Sequence, residues 1–298
     1  MDSGVNPAVV PPRRSTRDAR RVDVIEVTGL RKSYGGTTAV DGVGLGVRSG
    51  EVYALLGPNG AGKSTTVEVL EGHRRRDAGR VRVLGEDPAR AGRAWRARIG
   101  IVAQSATDAG ELSVREVVRH FARYYPDPRP VDEVLELCGL RDRAGARLAS
   151  LSGGQRRRVD VALGIVGRPE LVFLDEPTTG FDPEARRRFW DLVRSLRDSG
   201  STVLLTTHYL DEAEALADRL AVIAGGRIIA EGTPRTVGGR DTAPALVRWT
   251  DGDGEHETTS ADPAGLVVEL ARRGPVRGLA VRQPSLEDVY LRLIGAAA

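Results

Sequence analysis

A glycine-rich segment that could bind phosphate lies in the first quarter of the 298-residue chain. Residues 57–65 read GPNGAGKST, which fits the pattern G-x-x-x-x-G-K-[ST], and they follow the apolar segment VYALL. In such a loop, backbone N–H groups can wrap around a phosphate, and the helix expected near Gly62 directs its positive end at the same anion. We expect Lys63 to neutralise the β- and γ-phosphates of a nucleotide and Ser64 to coordinate Mg²⁺. The predicted nucleotide contacts of this segment are Gly57, Pro58, Asn59, Gly60, Ala61, Gly62, Lys63, Ser64, Thr65 and Thr66.

Two adjacent acidic residues, Asp175 and Glu176, follow the four apolar residues LVFL at 171–174. Such a run is typical of a strand buried on both faces, and this strand would end by presenting both carboxylates at the phosphate site. We expect Asp175 to hold Mg²⁺ through water and Glu176 to be the general base that polarises the attacking water. The acidic pair alone is a weak signal, but after a phosphate loop it becomes a strong one.

The segment LSGGQ at residues 151–155 narrows the class of protein. Alone, Ser-Gly-Gly-Gln would indicate only a helix N-cap followed by flexible glycines. Here it directly precedes the apparent helix RRRVDVALGIV, so its amides and the helix dipole should point at an external anion. Because the chain has one phosphate loop, which Lys63 already serves, the simplest account is that Ser152 and Gly154 contact the γ-phosphate held by a second copy. The predicted contacts across this ATP-dependent homodimer are Ser152, Gly153, Gly154 and Gln155.

These three motifs in this order resemble those of the ATP-binding cassette (ABC) ATPases, over about residues 23–235. The resemblance implies ATP and Mg²⁺ as ligands. It also implies that Gln104 senses Mg²⁺, takes part in catalysis and relays the nucleotide state to a membrane domain. By the same resemblance, His208 is a catalytic residue that contacts the γ-phosphate, and Tyr34 stacks on adenine. Asp182 would lie in the loop that crosses the dimer interface, although the preceding Phe181 replaces the leucine usually found there.

Within that family, the segment around LSGGQ and the ending PSLEDVYL at residues 284–291 resemble ATPase subunits of bacterial drug-resistance exporters of the daunorubicin-resistance type. This second resemblance implies a peripheral protein on the cytoplasmic face of the cell membrane. It would power export of a drug-like or other amphipathic substrate through a separate integral membrane permease, and so confer antibiotic resistance.

Other functions remain open at this point. The same fold also serves ABC importers, which is the nearest alternative. Soluble ABC ATPases of translation or DNA repair are a further alternative, but the chain shows neither a second fused cassette nor a long coiled-coil insert. A kinase or GTPase that shares only the phosphate loop would have no need of LSGGQ.

Buried-type strands that alternate with helices predict an α/β fold with a mainly parallel sheet. The resemblance to the ABC ATPases implies that this fold has a P-loop NTPase core. Short apolar runs before residue 57 predict an N-terminal antiparallel β subdomain, and LAVIAGGRIIAEG predicts a hairpin that turns at Gly225–Gly226. Apolar residues recur every three or four positions over 111–149, which predicts a helical insert at about 105–160. The predicted divisions are a flexible basic tail (1–21), a nucleotide-binding domain (22–235) and a small C-terminal α+β unit (236–298).

The charge of the chain argues against nucleic acid as a partner. The net charge is +3, and residues 1–22 alone hold five arginines and two aspartates, so the remainder is near neutral. Aromatic residues make up only 4%, fewer than base-stacking surfaces use. We expect Arg74–Arg76 and Arg156–Arg158 to lie on solvated faces rather than in ligand sites.

Cysteine usage and hydropathy suit a protein that stays in the cytosol beside the membrane. Cys138 is the single cysteine, so no internal disulfide can form, and its apolar neighbours predict that it fills core space. No run approaches the roughly 20 apolar residues that span a bilayer.

Overall fold

The computed structural model describes residues 23–102 and 111–297, and both the predicted tail 1–21 and Gln104 lie outside these ranges. A six-stranded sheet forms the centre of the protein. Its strands, in the order in which they lie side by side, are β5 (Ile99–Val102), β6 (Leu171–Asp175), β7 (Thr202–Thr207), β3 (Val52–Leu56), β8 (Arg219–Ala224) and β9 (Arg227–Gly232). Neighbouring strands are parallel except for β8 and β9, which form the predicted antiparallel hairpin around Gly225 and Gly226.

The central strands are buried on both faces because each face contributes to a different hydrophobic core. All five residues of β3 are buried. Val52, Ala54 and Leu56 belong to one core, whereas Tyr53 and Leu55 belong to the other. This arrangement explains why β3 and β6 have continuous apolar sequences rather than alternating ones.

One face of the central sheet packs against a second, antiparallel sheet and against a helix that follows the phosphate loop. The elements on this face are β1 (Asp23–Tyr34), β2 (Thr37–Arg48), β4 (Ala78–Val83) and helix α1 (Lys63–Leu70). The strand order β2-β1-β4 confirms the predicted N-terminal antiparallel subdomain. A short helix, α2 (Arg93–Arg96), places Trp95 in the same core.

The opposite face is covered by helices. These are α3 (Val114–Ala122), α4 (Val131–Leu137), α5 (Gly153–Ile165), α6 (Pro183–Asp198) and α7 (Leu210–Leu216), with 3-10 helices at Arg141–Arg143 and Leu148–Ser150. Helix α5 lies against the edge strand β5, where a Cβ on Gly100 would come within 2.2 Å of the Gly164 carbonyl oxygen. Residues 111–149 are therefore mainly helical, as their spacing predicts. Cys138 is 4% exposed in this core, as predicted, and burial raises the pKa of its thiol to about 12.

The C-terminal residues form a small α+β unit whose last helix returns to the main core. Strands β10 (Ala245–Asp251), β11 (Gly254–Ser260) and β12 (Arg277–Arg282) make an antiparallel sheet in the order β11-β10-β12, joined by α8 (Pro263–Arg273). Helix α9 (Leu286–Ala297) places Leu286 in the core that α6 and α7 share, with Tyr290 packed against it. The fold class is thus as predicted, and the division near residue 235 stays a prediction.

Across residues 23–102 and 111–297, no helix is both long enough and apolar enough to cross a bilayer.

Candidate functional site

The predicted site residues of three strands meet at one edge of the central sheet. Strands β6, β7 and β3 are adjacent and parallel, so their carboxyl ends lie side by side. Gly57 follows β3, Glu176 follows β6 and His208 follows β7. In open α/β sheets, ligands bind at the carboxyl ends of strands, so this edge is the expected position for a nucleotide.

The loop after β3 has the conformation of a phosphate cradle. Gly62 precedes α1 with φ 101°, and a Cβ at this position would lie 2.4 Å from the Ala39 carbonyl oxygen, so only glycine fits. Because α1 begins at Lys63, its first N–H groups have no intrahelical partner and are available to an anion. Of the predicted contacts, the exposed ones are Pro58, Asn59, Gly60 and Ser64, Thr65 is half-buried, and the buried ones include Gly57, Ala61 and Thr66.

Lys63 directs its ammonium group into this cradle. Its Nζ donates to the carbonyl oxygens of Gly57 (2.8 Å) and Pro58 (3.2 Å) and lies 3.8 Å from Glu176 Oε1. The side chain is only 5% exposed, and burial lowers the pKa of the amine, while the charges of Glu176 and Asp175 act in the opposite direction. A buried cation beside unpaired N–H groups fits a polyphosphate.

Thr206 on β7 fixes the acidic pair. Its hydroxyl donates to Asp175 Oδ1, at 2.5 Å, and its carbonyl and hydroxyl oxygens both lie 3.1 Å from the Glu176 nitrogen. Glu176 needs this support because its φ of 44° is in the left-handed region, which non-glycine residues rarely adopt. Sequence reasoning missed Thr206; its position in a predicted strand, two residues before His208, is the local signal that could have found it.

His208 completes a group of three side chains. Its Nδ1 lies 3.3 Å from Glu176 Oε1, the same oxygen that approaches Lys63. The Glu176 side chain is 14% exposed and that of His208 is 38% exposed, so the group is open on the histidine side. A base, a cation and an imidazole around one accessible point can orient and deprotonate water next to a phosphate.

Arg157 does not lie on a solvated face, and the expectation for Arg156–Arg158 is wrong at this position. The Arg157 guanidinium donates to the carbonyl oxygens of Asp175 (2.6 Å) and Pro177 (3.3 Å), and burial lowers its pKa. It thereby ties α5 to the backbone around the acidic pair. Arg74 lies with its guanidinium carbon 5.1 Å from the centre of the Tyr34 ring.

Tyr34, at the end of β1, is 39% exposed. Besides Arg74, the Lys32 ammonium lies 5.4 Å from the centre of its ring. These are cation–π distances, and the same electron-rich ring could stack on a base. Its predicted contact with adenine stays a prediction, as do the roles predicted for Gln104, which lies outside the described residues.

The LSGGQ segment forms the start of α5 as a capping box. Ser152 Oγ accepts a hydrogen bond from the Gln155 N–H (3.3 Å), and Gln155 Oε1 accepts one from the Ser152 N–H (3.1 Å). Ser152 and Gly153 are exposed, and no atom of the described residues, apart from the chain neighbours and the helix's own backbone, lies within 4 Å of a Cβ built on Gly153. Among the described residues the Ser152 hydroxyl group is engaged only as an acceptor, so its O–H can still donate to an outside anion.

A cavity of about 440 Å³ borders this segment, and it is lined by Gly153, Gly154, Arg156, Arg157, Asp160, Glu176, Thr179 and Gly180. Among the described residues, its lining comes from α5 and from the loop after β6, not from the phosphate loop. Helix α5 packs on β5, which is three strand positions from β3, or about 14 Å at the usual strand spacing. Asp182 caps α6 by accepting the Ala185 N–H (2.7 Å), and it is exposed.

Glu71 at the end of α1 is a neighbour of the acidic pair that sequence reasoning missed. Its carboxyl is buried, and burial, with the nearby charge of Asp175, raises its pKa to about 8. His73 Nδ1 lies 3.2 Å from Glu71 Oε2. A raised pKa means that the folded protein retains this proton over a pH range in which the unfolded chain has lost it.

The free energy of unfolding should therefore fall over the pH range in which Glu71 is ionised in the unfolded chain but still protonated in the folded protein. Between about pH 4.5 and pH 8 the folded state binds more protons than the unfolded state, so this group's contribution to the free energy of unfolding decreases with rising pH and is constant above pH 8. We expect Glu71→Gln to raise Tm relative to the wild type by about 5 °C more at pH 8.5 than at pH 5. Calorimetry of both proteins across this range tests the sign, and a Tm difference independent of pH would contradict it.

The donor set fits a triphosphate with a hard cation. Ser64 and Asp175 offer hydroxyl and carboxylate oxygens, which are ligands that Mg²⁺ prefers, and Lys63 with the first N–H groups of α1 offers the positive charge that phosphates need.

Comparison with known proteins identifies relatives along most of the chain. The profile of the family described as ABC transporter matches residues 40–179. The Nod factor export ATP-binding protein I of Rhizobium sp. (strain N33) is 40% identical over 295 residues, which cover 91% of this chain and 97% of that protein. The daunorubicin/doxorubicin resistance ATP-binding protein DrrA of Streptomyces peucetius is 41% identical over 307 residues, which cover 92% and 93%.

Solved structures give the same answer for the fold. A nucleotide-free ATP-binding cassette from an ABC transporter aligns with 71% of this chain and 92% of its own length, at a TM-score of 0.64 and 27% identity. An ATP binding subunit of an ABC transporter covers 91% of this chain and 99% of its own length, at a TM-score of 0.68 and 24% identity, and it supports the fold alone.

Proposed function

The chain belongs to the ATP-binding proteins of ABC transporters, and we propose that it hydrolyses ATP at sites shared between two copies of itself to drive a separate membrane permease. Membership confirms the resemblance predicted from the motifs. It makes the chain an ATPase subunit of the exporter type, because relatives at 40% and 41% identity are named for Nod factor export and for drug resistance.

The observation that carries the catalytic proposal is the convergence of Lys63 and His208 on one oxygen of Glu176. In this proposal Lys63 and the N–H groups of α1 hold the β- and γ-phosphates. Glu176 orients a water molecule and takes its proton, and His208 contacts the γ-phosphate opposite Lys63. Mg²⁺, held by Ser64, Asp175 and Gln104, would neutralise charge on the phosphates. Tyr34 would stack on adenine.

The exposed start of α5 supports the shared site. Ser152, Gly153, Gly154 and Gln155 present a helix N-terminus to solvent, and the helix packs on the strand three positions from β3. A γ-phosphate held by Lys63 of one copy would then meet Ser152 and Gly154 of the other. Asp182, exposed at the start of α6, would lie between the two copies.

For the permease, the helical insert is the expected contact. In the sequence it lies between Gln104, which would read the nucleotide, and LSGGQ, which would close on it, so the nucleotide state could move α3 and α4 as a unit. Attachment there would hold the protein peripherally at the cytoplasmic face of the membrane. We propose a drug-like or other amphipathic cargo, on the resemblance to the daunorubicin-resistance relative.

Export can be tested in cells that produce the chain together with a candidate permease, chosen as a membrane protein whose gene adjoins its own. We expect the chain to fractionate with membranes and cellular accumulation of daunorubicin to fall several-fold, and Lys63→Ala to abolish the effect. Higher accumulation in the presence of the pair would favour an importer. Failure to fractionate with membranes would favour a non-transport ATPase.

A further inference from the structure

A buried carboxyl group that is not among the predicted catalytic residues lies beside two segments of the site. One is the turn that carries Glu176, and the other is the segment that carries His208. Glu212, in the first turn of α7, is 0% exposed, although no role was expected of it. In the part of the chain that the structure describes, neither of its oxygens has a hydrogen-bond partner, nor do the Thr178 hydroxyl and the Trp190 indole N–H, which are also buried. Buried polar groups in proteins are nearly always paired, so four unpaired atoms from three residues need an explanation.

These groups are neighbours, and their chemistry is complementary. Burial raises the pKa of Glu212, whereas Thr207, Thr178 and Trp190 lower it as hydrogen-bonding groups beside the carboxyl. Thr178 and Trp190 are donors and the carboxyl is an acceptor, but in this conformation the distances or angles miss those of hydrogen bonds. The Thr178 hydroxyl and the Trp190 indole N–H would each pair with the carboxyl if they reached hydrogen-bonding distance and angle.

One of the two donors beside Glu212, Thr178, belongs to the turn that carries the predicted base. Thr178 lies two residues after Glu176, and hydrogen bonds within the turn, from Thr179 N to Glu176 O (3.4 Å) and from Phe181 N to Thr178 O (3.0 Å), make these residues move together. Trp190 is on α6, which this turn leads into. Whether Glu212 can pair with Thr178 and Trp190 therefore depends on the position of Glu176.

Glu212 itself moves with His208. The Tyr209 N–H donates to Thr207 Oγ1 (2.9 Å) and the Ala213 N–H donates to the Tyr209 carbonyl oxygen (3.3 Å), which fixes the start of α7 to the end of β7. The carboxyl thus stands between two locally rigid units, of which one carries Glu176 and the other carries His208.

We propose that Glu212 is a positioning residue for ATP hydrolysis: when the nucleotide binds, its carboxyl accepts hydrogen bonds from Thr178 and Trp190 and so fixes Glu176 relative to His208. This inference rests on the proposed function. The residue acts through its neighbours and does not touch the substrate, so it should affect turnover more than ATP affinity.

The test compares Glu212→Leu with Glu212→Gln in the full chain. Leucine fills the space without an acceptor, so kcat should fall about 10- to 100-fold with KM for ATP within about twofold, as expected when catalytic groups are misplaced. Glutamine keeps an acceptor oxygen and should retain most of kcat. Since leucine removes a buried unpaired carboxyl, Tm should not fall, whereas a purely structural role predicts lower Tm with unchanged kcat. Glu214→Gln is the matched control, because Glu214 is exposed on the same helix.

A second measurement leaves residue 212 intact. In ¹⁵N-tryptophan-labelled Glu176→Gln protein, Mg-ATP should move the indole N–H resonance of Trp190 downfield as it gains its partner, and Trp190→Phe assigns the signal. The proposal is overturned by a Glu212→Leu kcat near that of the wild type, or by a Trp190 resonance that ATP binding leaves in place. A wild-type chain that does not hydrolyse ATP would instead overturn the proposed function, and this inference with it.

Discussion

Glu176→Gln should reduce kcat for ATP hydrolysis by about 10³-fold while ATP remains bound, because removal of a general base typically costs 10²- to 10⁴-fold. Glutamine has the shape of glutamate but cannot take a proton from water. Lys63 keeps its contacts with the Gly57 and Pro58 carbonyl oxygens, and Thr206 still holds Asp175, so the phosphate site persists.

Steady-state kinetics and equilibrium binding of a labelled ATP analogue separate these two effects. Lys63→Ala should lose binding as well as turnover, since it removes the buried cation of the cradle. Glu170→Gln is the matched control, because Glu170 directly precedes β6, at the opposite end from Glu176, and pairs with Arg98 at 2.7 Å. Wild-type turnover by Glu176→Gln would show that another group is the base.

Gly153→Asp should abolish both ATP-dependent dimerisation and hydrolysis without harming the fold. Within residues 23–102 and 111–297, a Cβ at this position meets no atom within 4 Å apart from its chain neighbours and its own helix backbone. An acidic residue in the first turn of α5 also interacts favourably with the helix dipole. In a dimer, however, the new carboxylate would face the γ-phosphate held by Lys63 of the other copy, and like charges at such distances repel strongly.

Sedimentation of the Glu176→Gln protein, with and without Mg-ATP, measures the dimer directly. We expect a shift from monomer to dimer on adding Mg-ATP, no shift when Gly153→Asp is also present, and a normal shift with the control Gly153→Ala. Binding of ATP to the monomer should survive in both variants. A monomer in all conditions, or a dimer that tolerates Gly153→Asp, would contradict the shared site.

Much of the nucleotide site was predictable because its signals are local. The phosphate loop requires glycines at fixed spacing, a lysine and a preceding strand, and all of these are contiguous at 57–65. The apolar runs of β3 and β6 predict strands buried on both faces. In the structure a single strand, β7, lies between them. Similarly, apolar residues recur every three or four positions over 111–149, and these segments are long enough for helices. The period of the apolar residues and the length of the segments suffice to predict helices there.

The sequence by itself determined the motifs, the order of the elements and the family. Only the tertiary structure decided which side chains support them: Thr206 holds Asp175 and Glu176, Arg157 reaches the backbone of β6, Glu71 carries a proton near Asp175, and Glu212 lies against Thr178. The physical reason is that these are contacts between residues distant in the chain, and their chemistry depends on burial. A threonine, an arginine or a glutamate has no local pattern that distinguishes a solvated position from one enclosed between a strand and a helix.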